Sequence, residues 1–148
     1  MYFRRGPRTS VADGSSSPEW FVQHQHAEPV YNHTINEPNQ WMSVDLGEGR
    51  SLHPDHYCLR HNHGGAHVLR HWRLEGSHDG STWVALRTHT NDASIARASM
   101  ATAAWPVEGA TEAFRHFRIL LTGKNSSNAD YLLCTGIELY SAFRWPAA

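Results

Sequence analysis

The chain has 148 residues with a hydrophobic content of 40%, which is enough for one domain with a single core. Its formal net charge of −1, with the histidines neutral, argues against a general attraction to nucleic acid or to an acidic membrane surface. The twelve histidines are unusual for this length, and they make the net charge rise as the pH falls through about 6.5.

The lack of targeting signals and the number of cysteines limit the class of protein further. No apolar run approaches the roughly 18 residues of a membrane span, and the opening residues are too charged for a secretory signal. Two cysteines do not make a disulfide framework in a chain of this size. We expect Cys58 and Cys134 to be buried free thiols, and a bridge between them is possible only if their strands are neighbours. These features favour an intracellular, cytoplasmic module.

The first 40 residues predict little regular structure. Residues 1–18 are rich in Gly, Pro and Ser, which indicates an N-terminal arm at the domain edge rather than a helix. Residues 19–40 contain two prolines and few aliphatic residues, so we expect long loops with at most one short strand. The first clear strand is predicted at 41–46, and it is closed by Gly47 and Gly49.

Two strands and a hairpin are predicted in the middle of the chain. Residues 55–61 predict a strand, with Tyr57 and Leu59 on one face. In the run RHWRLEGSHDGSTWVAL, apolar and polar residues alternate around Trp72, which is typical of a strand with one buried face. The Asp-Gly pair at 79–80 readily takes the positive φ angles of a type I′ turn, so we predict a β-hairpin there. Its strands are predicted at about 70–77 and 82–89.

The remaining segments continue this pattern. Residues 98–104 predict a strand or a short helical turn that ends at Trp105-Pro106, because proline lacks the N–H that a ladder needs. The further elements are a strand at Phe114–Leu121, a polar loop at Gly123–Asp130, a strand at Leu132–Ala142 and a C-terminal tail at 143–148. Short strands at regular spacing predict an all-β, single-domain sandwich or jelly roll over residues 19–142.

The aromatic residues at strand positions are expected to form the core, because large rings bury apolar area best there. These residues are Trp41, Trp72, Trp83, Trp105 and Phe117. Trp20 and Trp145, near the chain ends, are the better candidates for exposure.

Seven histidines between positions 53 and 78 raise the question of a metal site. His61 and His63 would share a strand face, and His67 could supply a third ligand across the Gly64-Gly65 turn. No CxxC or HExxH pattern accompanies them, so loop and edge histidines are the simpler explanation. We therefore predict no metal and no cofactor, and we keep a metal-dependent enzyme as a minor alternative.

Basic side chains at strand ends predict a ligand pocket. Arg60 and His61 end one strand, Arg70 begins the next, and Lys124 follows another, so a sandwich that brings these ends together would make a cationic pocket. The planar fork of arginine suits a carboxylate or a phosphate. The alternative is a set of surface ion pairs with Glu75, Asp79 or Asp92, or an arginine that braces a loop. The predicted ligand-binding residues are Arg60, His61, Arg70, Asp92, Lys124 and Asn125.

Six motifs in order carry a family resemblance: WMSVDLG (41–47), YCLRH (57–61), LRHWRLEGSHDGSTW (69–83), FRHFRI (114–119), GKNS (123–126) and GIELY (136–140). Over about residues 40–142 the chain resembles the galactose-binding-like β-sandwich of the discoidin, or coagulation-factor type C (F5/8 type C), superfamily. It is most similar to the intracellular branch found in HECT-type ubiquitin ligases and BTB-domain proteins, since it lacks the terminal cysteines of secreted members.

The resemblance implies a jelly roll whose loops at one end bind a ligand, and a domain that is not an enzyme. We therefore expect a monomeric module that recruits a protein or peptide partner, acidic or phosphorylated, for a ubiquitin ligase or scaffold protein. A carbohydrate-binding module is the main alternative, and a purely structural domain is another. The sequence shows no Ser-His-Asp or Cys-His arrangement with a supporting motif that would favour an enzyme over these hypotheses.

Overall fold

The computed structural model describes the backbone of residues 2–5 and all of residues 31–141. These ranges contain eight β-strands and no helix. The strands are β1 (Tyr2–Arg5), β2 (Trp41–Asp45), β3 (His56–Arg60), β4 (Trp72–Ser77), β5 (Val84–His89), β6 (Thr102–Pro106), β7 (His116–Leu121) and β8 (Gly136–Tyr140). None of the described residues belongs to a helix long and apolar enough to cross a bilayer.

The strands form two antiparallel sheets. One has five strands in the order β1-β2-β7-β4-β5, and the other has three in the order β6-β3-β8. The predicted all-β sandwich is therefore confirmed. Residues 2–5 of the predicted arm form the edge strand β1, which pairs with β2. Residues 6–30 and 142–148 lie outside the described residues, as do Trp20 and Trp145, so the remaining arm, the start of the domain and the tail stay predictions.

The core lies between the sheets because alternate residues of each strand point inward. In β7 the side chains of Phe117, Ile119 and Leu121 are buried, while the residues between them are partly exposed. Tyr57 and Leu59 of β3 are buried in the same way from the opposite sheet, as predicted. The largest fully buried side chains are Trp72, Tyr57, Phe114, Phe117, Met42, Leu59, Leu69, Leu74, Ile95, Ile119 and Leu121.

The predicted hairpin is present, but its turn is wider than predicted. β4 and β5 pair antiparallel with a bulge between Leu74 and Glu75, and residues 78–83 separate them. A type I′ turn needs positive φ at both central residues, and only Gly80 of the Asp-Gly pair has it, at 76°. Asp79 instead accepts hydrogen bonds on Oδ1 from the amides of Ser81 and Thr82, both at 2.8 Å. This local turn replaces the tight one.

Two of the aromatic residues predicted for the core lie elsewhere. Trp72, Trp105 and Phe117 are buried, whereas Trp41 and Trp83 are only half-buried. The guanidinium carbon of Arg118 lies 5.8 Å from the ring centroid of Trp41 and 4.3 Å from that of Trp83. The prediction failed for this pair because a strand position alone does not say which sheet face a ring takes.

Other differences concern strand ends and cysteines. The last strand is shorter than 132–142, and Phe114 precedes β7 in an isolated bridge to Leu52. Cys58 and Cys134 are both free thiols, but Cys58 is half-buried rather than buried. Burial raises the pKa of the Cys134 thiol to about 12, so this group is inert.

Candidate binding cavity at one end of the sandwich

A cavity of about 440 Å³ opens at the end of the sandwich where β3 ends and β8 begins. Three segments line it, and each contributes aromatic or imidazole rings. The lining residues are Tyr31, His33, His61, Asn62, His63, Gly64, Gly65, Ala66, His67, Tyr131 and Leu133. We refer to this feature as the end cavity.

Two of the three segments are held together by a short ladder. His33 and Leu133 form an isolated antiparallel bridge, and the amide of Thr34 donates to the carbonyl of Leu132 at 3.1 Å. The hydroxyl of Thr34 accepts from the amide of Leu132 at 3.0 Å. These bonds fix the rings of residues 31–33 and 131–133 on one side of the end cavity.

The third segment, residues 61–67, is held by hydrogen bonds to the segment that precedes β6. The amide of His61 donates to the carbonyl of Ala101 at 2.8 Å, and the amide of Met100 donates to the carbonyl of Asn62 at 2.9 Å. A Cβ on Gly65 would lie 2.8 Å from a backbone oxygen of this segment before β6, so only glycine allows the two backbones to come this close.

The loop after β7 fixes the other end of this segment. The hydroxyls of Ser126 and Ser127 accept from the amides of Val68 and His67, at 2.9 and 3.0 Å. His67 sits at φ 57°, a conformation that a residue with a side chain adopts at a cost. These two hydrogen bonds help to hold His67 in place against the end cavity.

Edge-to-face ring contacts build the walls. The ring centroids of Tyr31 and His63 are 6.2 Å apart, and Tyr131 lies 5.9 Å from His33 and 5.2 Å from His67. Tyr31 is 45% exposed, so its ring remains accessible at the rim. Among the residues that the structure describes, no Lys, Arg, Asp or Glu lines the end cavity, and a binding surface of this kind suits uncharged groups.

His61 is the one predicted site residue that lines the end cavity. It is 2% exposed, and its Nε2–H donates to the carbonyl of Ala66 at 2.9 Å. Burial lowers the pKa of His61 below its ordinary value, so the ring is neutral near pH 7. This hydrogen bond therefore joins the two ends of the segment 61–67, and His61 forms part of the floor of the end cavity.

The two predicted arginines make hydrogen bonds that support the nearby backbone. The guanidinium of Arg60 donates to the hydroxyl of Thr135 at 3.3 Å and to its carbonyl at 3.1 Å, and it packs on Gly136. Arg70 donates to the carbonyls of Leu69 and Ile95, at 2.9 and 3.2 Å. Neither lines the end cavity.

The other three predicted residues also have local partners. Lys124 pairs with Asp130 in its own loop, and Asn125 accepts from two amides of that loop while it donates to the carbonyl of Tyr131 at 3.1 Å. Asp92 binds His89 at 2.7 Å. These contacts do not bring the six predicted residues together in one pocket. Their role in binding stays a prediction.

The histidines predicted as possible ligands do gather, but not as a metal centre. His61, His63 and His67 all line the end cavity, and His33 joins them. Within residues 2–5 and 31–141 no group of three or more His, Cys, Asp or Glu is arranged to hold a metal ion. The sequence reasoning missed the two tyrosines of the site. The Tyr-x-His and His-x-His patterns at 31–33 and 61–63 were the available signal.

Comparison with known proteins gives the class. A model of the F5/8 type C domain family matches residues 2–137, so the chain belongs to this family. It is 42% identical over 113 residues, 73% of the chain, to the E3 ubiquitin-protein ligase Ufd4 of Drosophila melanogaster. It is also 42% identical over 115 residues, 76% of the chain, to the E3 ubiquitin-protein ligase hecd-1 of Caenorhabditis elegans. The chain spans about 4% of the length of each of these relatives.

A third relative is a BTB/POZ domain-containing protein of Arabidopsis thaliana, 36% identical over 111 residues, which are 72% of this chain and 13% of that protein. The predicted resemblance to the branch found in ubiquitin ligases and BTB proteins is therefore confirmed.

Solved structures share the fold. CpGH89CBM32-5 of Clostridium perfringens, in complex with GalNAc-β-1,3-galactose, matches with a TM-score of 0.69 and 12% identity, over 94% of this chain and 95% of that one. The lectin domain of lectinolysin, complexed with Lewis B antigen, matches with a TM-score of 0.57 and 19% identity, over 76% and 72%. At these identities the likeness shows the fold alone. It is the galactose-binding-like sandwich that was predicted.

Proposed function

We propose that this chain is a non-catalytic module that recruits a protein partner by holding an uncharged segment of it in the end cavity. The module would serve a longer intracellular protein of the ubiquitin-ligase or scaffold type. The observation that carries this proposal is the set of ring-lined walls, to which the described residues contribute no Lys, Arg, Asp or Glu. Rings fixed by a ladder and by loop hydrogen bonds offer a preorganised apolar surface, which lowers the cost of binding.

The charge of the lining bears on the kind of partner. An acidic or phosphorylated peptide needs cations within reach of its anionic group. Arg60 and Arg70 donate to backbone carbonyls, Lys124 pairs with Asp130, and none of the three lines the end cavity. These contacts favour an uncharged peptide segment over the acidic one expected from the sequence.

One arrangement in the core resembles a catalytic triad, and its burial supports a structural role. Asp92, His89 and Tyr57 are joined in line by hydrogen bonds of 2.7 and 2.5 Å. A nucleophile must reach a substrate, and Tyr57 is 0% exposed. Burial also raises the pKa of its hydroxyl well above the ordinary value. This supports a module that binds rather than one that reacts.

The test compares two tyrosines of similar exposure. Tyr31, 45% exposed, stands at the rim of the end cavity, and Tyr140, 48% exposed, ends β8 at the opposite end of the sandwich. Partners captured by the wild-type chain from cell extract are identified, and peptides from them are titrated. We expect Tyr31→Ala to weaken binding by at least about tenfold, as truncating an aromatic anchor does, and Tyr140→Ala to bind as the wild type. Equal binding by both variants would contradict the site.

A carbohydrate ligand is the second candidate, because rings and uncharged hydrogen-bonding groups also suit a sugar. The lectin domain and CpGH89CBM32-5 were solved with sugars bound, on the same fold. A glycan array probed with the wild-type chain and with Tyr31→Ala separates the candidates. Glycan binding that is lost in the variant, without any peptide binding, would replace the peptide by a sugar in the proposal.

A further inference from the structure

A buried hydrogen-bonded chain leads from the core to the loop at residues 90–100. Tyr57 accepts from the indole N–H of Trp72 at 3.0 Å, and its own hydroxyl lies 2.5 Å from Nε2 of His89. Nδ1 of His89 lies 2.7 Å from Oδ2 of Asp92. Because the carboxylate of Asp92 only accepts, Nδ1–H of His89 donates to it, and Nε2 of the neutral ring then accepts the hydroxyl proton of Tyr57. The chain is complete only when His89 is neutral.

The surroundings of His89 oppose a second proton. Its ring stacks on Trp72 with centroids 4.0 Å apart and contacts the edge of Trp105 at 4.8 Å, and its side chain is 1% exposed. The charged groups that act on it are Asp92, which favours the protonated form, and Arg87, which opposes it. Burial outweighs Asp92, so the pKa of His89 lies below its ordinary value.

A proton on Nε2 would also break the pattern of hydrogen bonds. Two hydrogens, that of Nε2 and that of the Tyr57 hydroxyl, would then compete for the space between the same two atoms. The hydroxyl would have to turn away from His89 within a fully buried site. Protonation therefore favours states in which the ring of His89 leaves its buried place against Trp72 and reaches water.

The loop at 90–100 connects this network to the end cavity. The amide of Asp92 donates to the carbonyl of Arg70 at 2.8 Å. Further along the loop, the amide of Met100 donates to the carbonyl of Asn62, a lining residue, at 2.9 Å. Between these two points the loop backbone makes the close approach to Gly65 described above. The loop thus supports the wall formed by residues 61–67.

We infer that the buried placement of His89 against Trp72 is an acid-sensitive latch, in which protonation of His89 draws its ring out of the core, opens loop 90–100 and loosens the wall of the end cavity. The ligand is then held near neutral pH and released in acid. The ligand part of this inference rests on the proposed function, whereas the opening of the loop does not.

The test follows the loop directly in the intact chain, without a ligand. Amide hydrogen exchange at Asp92 and Met100, corrected for the intrinsic effect of pH, is measured between pH 7.5 and 5.0. If opening takes up one proton, the opening equilibrium rises about tenfold for each pH unit below about 6.5. His89→Gln removes the titration and is expected to be flat. The matched control His78→Gln alters an exposed histidine and should follow the wild type.

Opening that does not vary with pH in the wild type, or that keeps the same slope in His89→Gln, would overturn the latch. Where His89→Gln fails to fold, the ring signals of His89 in the wild type serve instead. Their titration near pH 6.5 without a change in exchange at Met100 also overturns it. If the exchange follows expectation while Tyr31→Ala binds partners normally, the latch stands and the proposed function fails.

Discussion

Arg60 is a residue predicted to bind a ligand that makes hydrogen bonds within the fold. Its sequence position, at the end of a strand and beside a histidine, suggested a ligand contact. Its guanidinium instead joins β3 to the residue before β8, through Thr135, and covers Gly136. The sequence predicted that this arginine lies at the cavity end of the sandwich, but its partner comes from 75 positions away. Such a partner depends on strand order, which no local pattern contains.

We therefore expect Arg60→Ala to lower the free energy of unfolding by about 1 to 2 kcal/mol, because the two hydrogen bonds to Thr135 are lost. Binding at the end cavity should change little. Denaturant unfolding of the wild type, Arg60→Ala and Arg60→Lys measures the cost, and peptide titration measures the binding. Unchanged stability together with lost partner capture would return Arg60 to the role first predicted for it.

At the scale of elements, the close packing of β4 on Phe114 is set by a glycine. A Cβ on Gly76 would lie 2.7 Å from two ring carbons of Phe114, which is buried. A Cβ on Gly136 would lie 2.9 Å from the guanidinium of Arg60. The two sites differ in what must yield, because a ring in the core is fixed while the end of an arginine side chain can move.

This contrast predicts the outcome of two alanine substitutions. Gly76→Ala should destabilise the fold by about 2 kcal/mol, since the added methyl overpacks the core. Gly136→Ala should cost less than about 1 kcal/mol, since Arg60 can shift. Neither position has a positive φ, so strain at the backbone does not enter. Thermal and denaturant unfolding of both variants provide the measurement, and equal losses would contradict the explanation.

The strands with a clear period of two were predictable, and their ends were not. The alternation in β3 and β7 predicted both their type and their buried faces, whereas in β4 it predicted the type alone, because Glu75 on the expected polar face is buried as well. The turn between β4 and β5 differed because the side chain of Asp79 makes its own hydrogen bonds, a local competition that an Asp-Gly pair does not reveal.

For the molecule as a whole, two kinds of buried ionisable group set the response to acid. His61 and His89 have pKa values lowered chiefly by burial, so the unfolded chain binds protons near pH 6.5 before the folded chain does. Asp45 is paired with Arg115 at 2.7 and 3.0 Å, and this hydrogen bonding lowers its pKa to about 2. Its contribution is therefore complete above the ordinary value of 3.8 and is lost toward pH 2.

We expect the free energy of unfolding to fall in two separate ranges of pH. Below about 6.5 it should decrease by up to about 1.4 kcal/mol per pH unit for each of the two histidines, and a second loss should begin below 3.8. Denaturant unfolding from pH 8 to 2 tests this, with the double variant of His61→Gln and His89→Gln against His78→Gln. A decrease above pH 5 that the double variant retains in full would contradict the assignment.

The position of the proposed binding site was predictable only in part. The sequence pointed to the end of the sandwich where β3 ends, and the end cavity opens there. It did not predict which side chains form the walls, because Tyr31 and Tyr131 come from segments without a periodic pattern. These two segments meet across a ladder of hydrogen bonds between residues 31–34 and 131–134. Contacts between irregular segments depend on the completed fold.

The loop that holds His67 also carries the one lysine among the thirteen Lys and Arg residues of the sequence. Lysine amines are the side chains that acetylation and ubiquitination modify. In this chain such chemistry has a single side-chain target, Lys124, whose side chain is 55% exposed. An acyl group there would remove the positive charge facing Asp130, in the same loop whose Ser126 and Ser127 support the cavity wall.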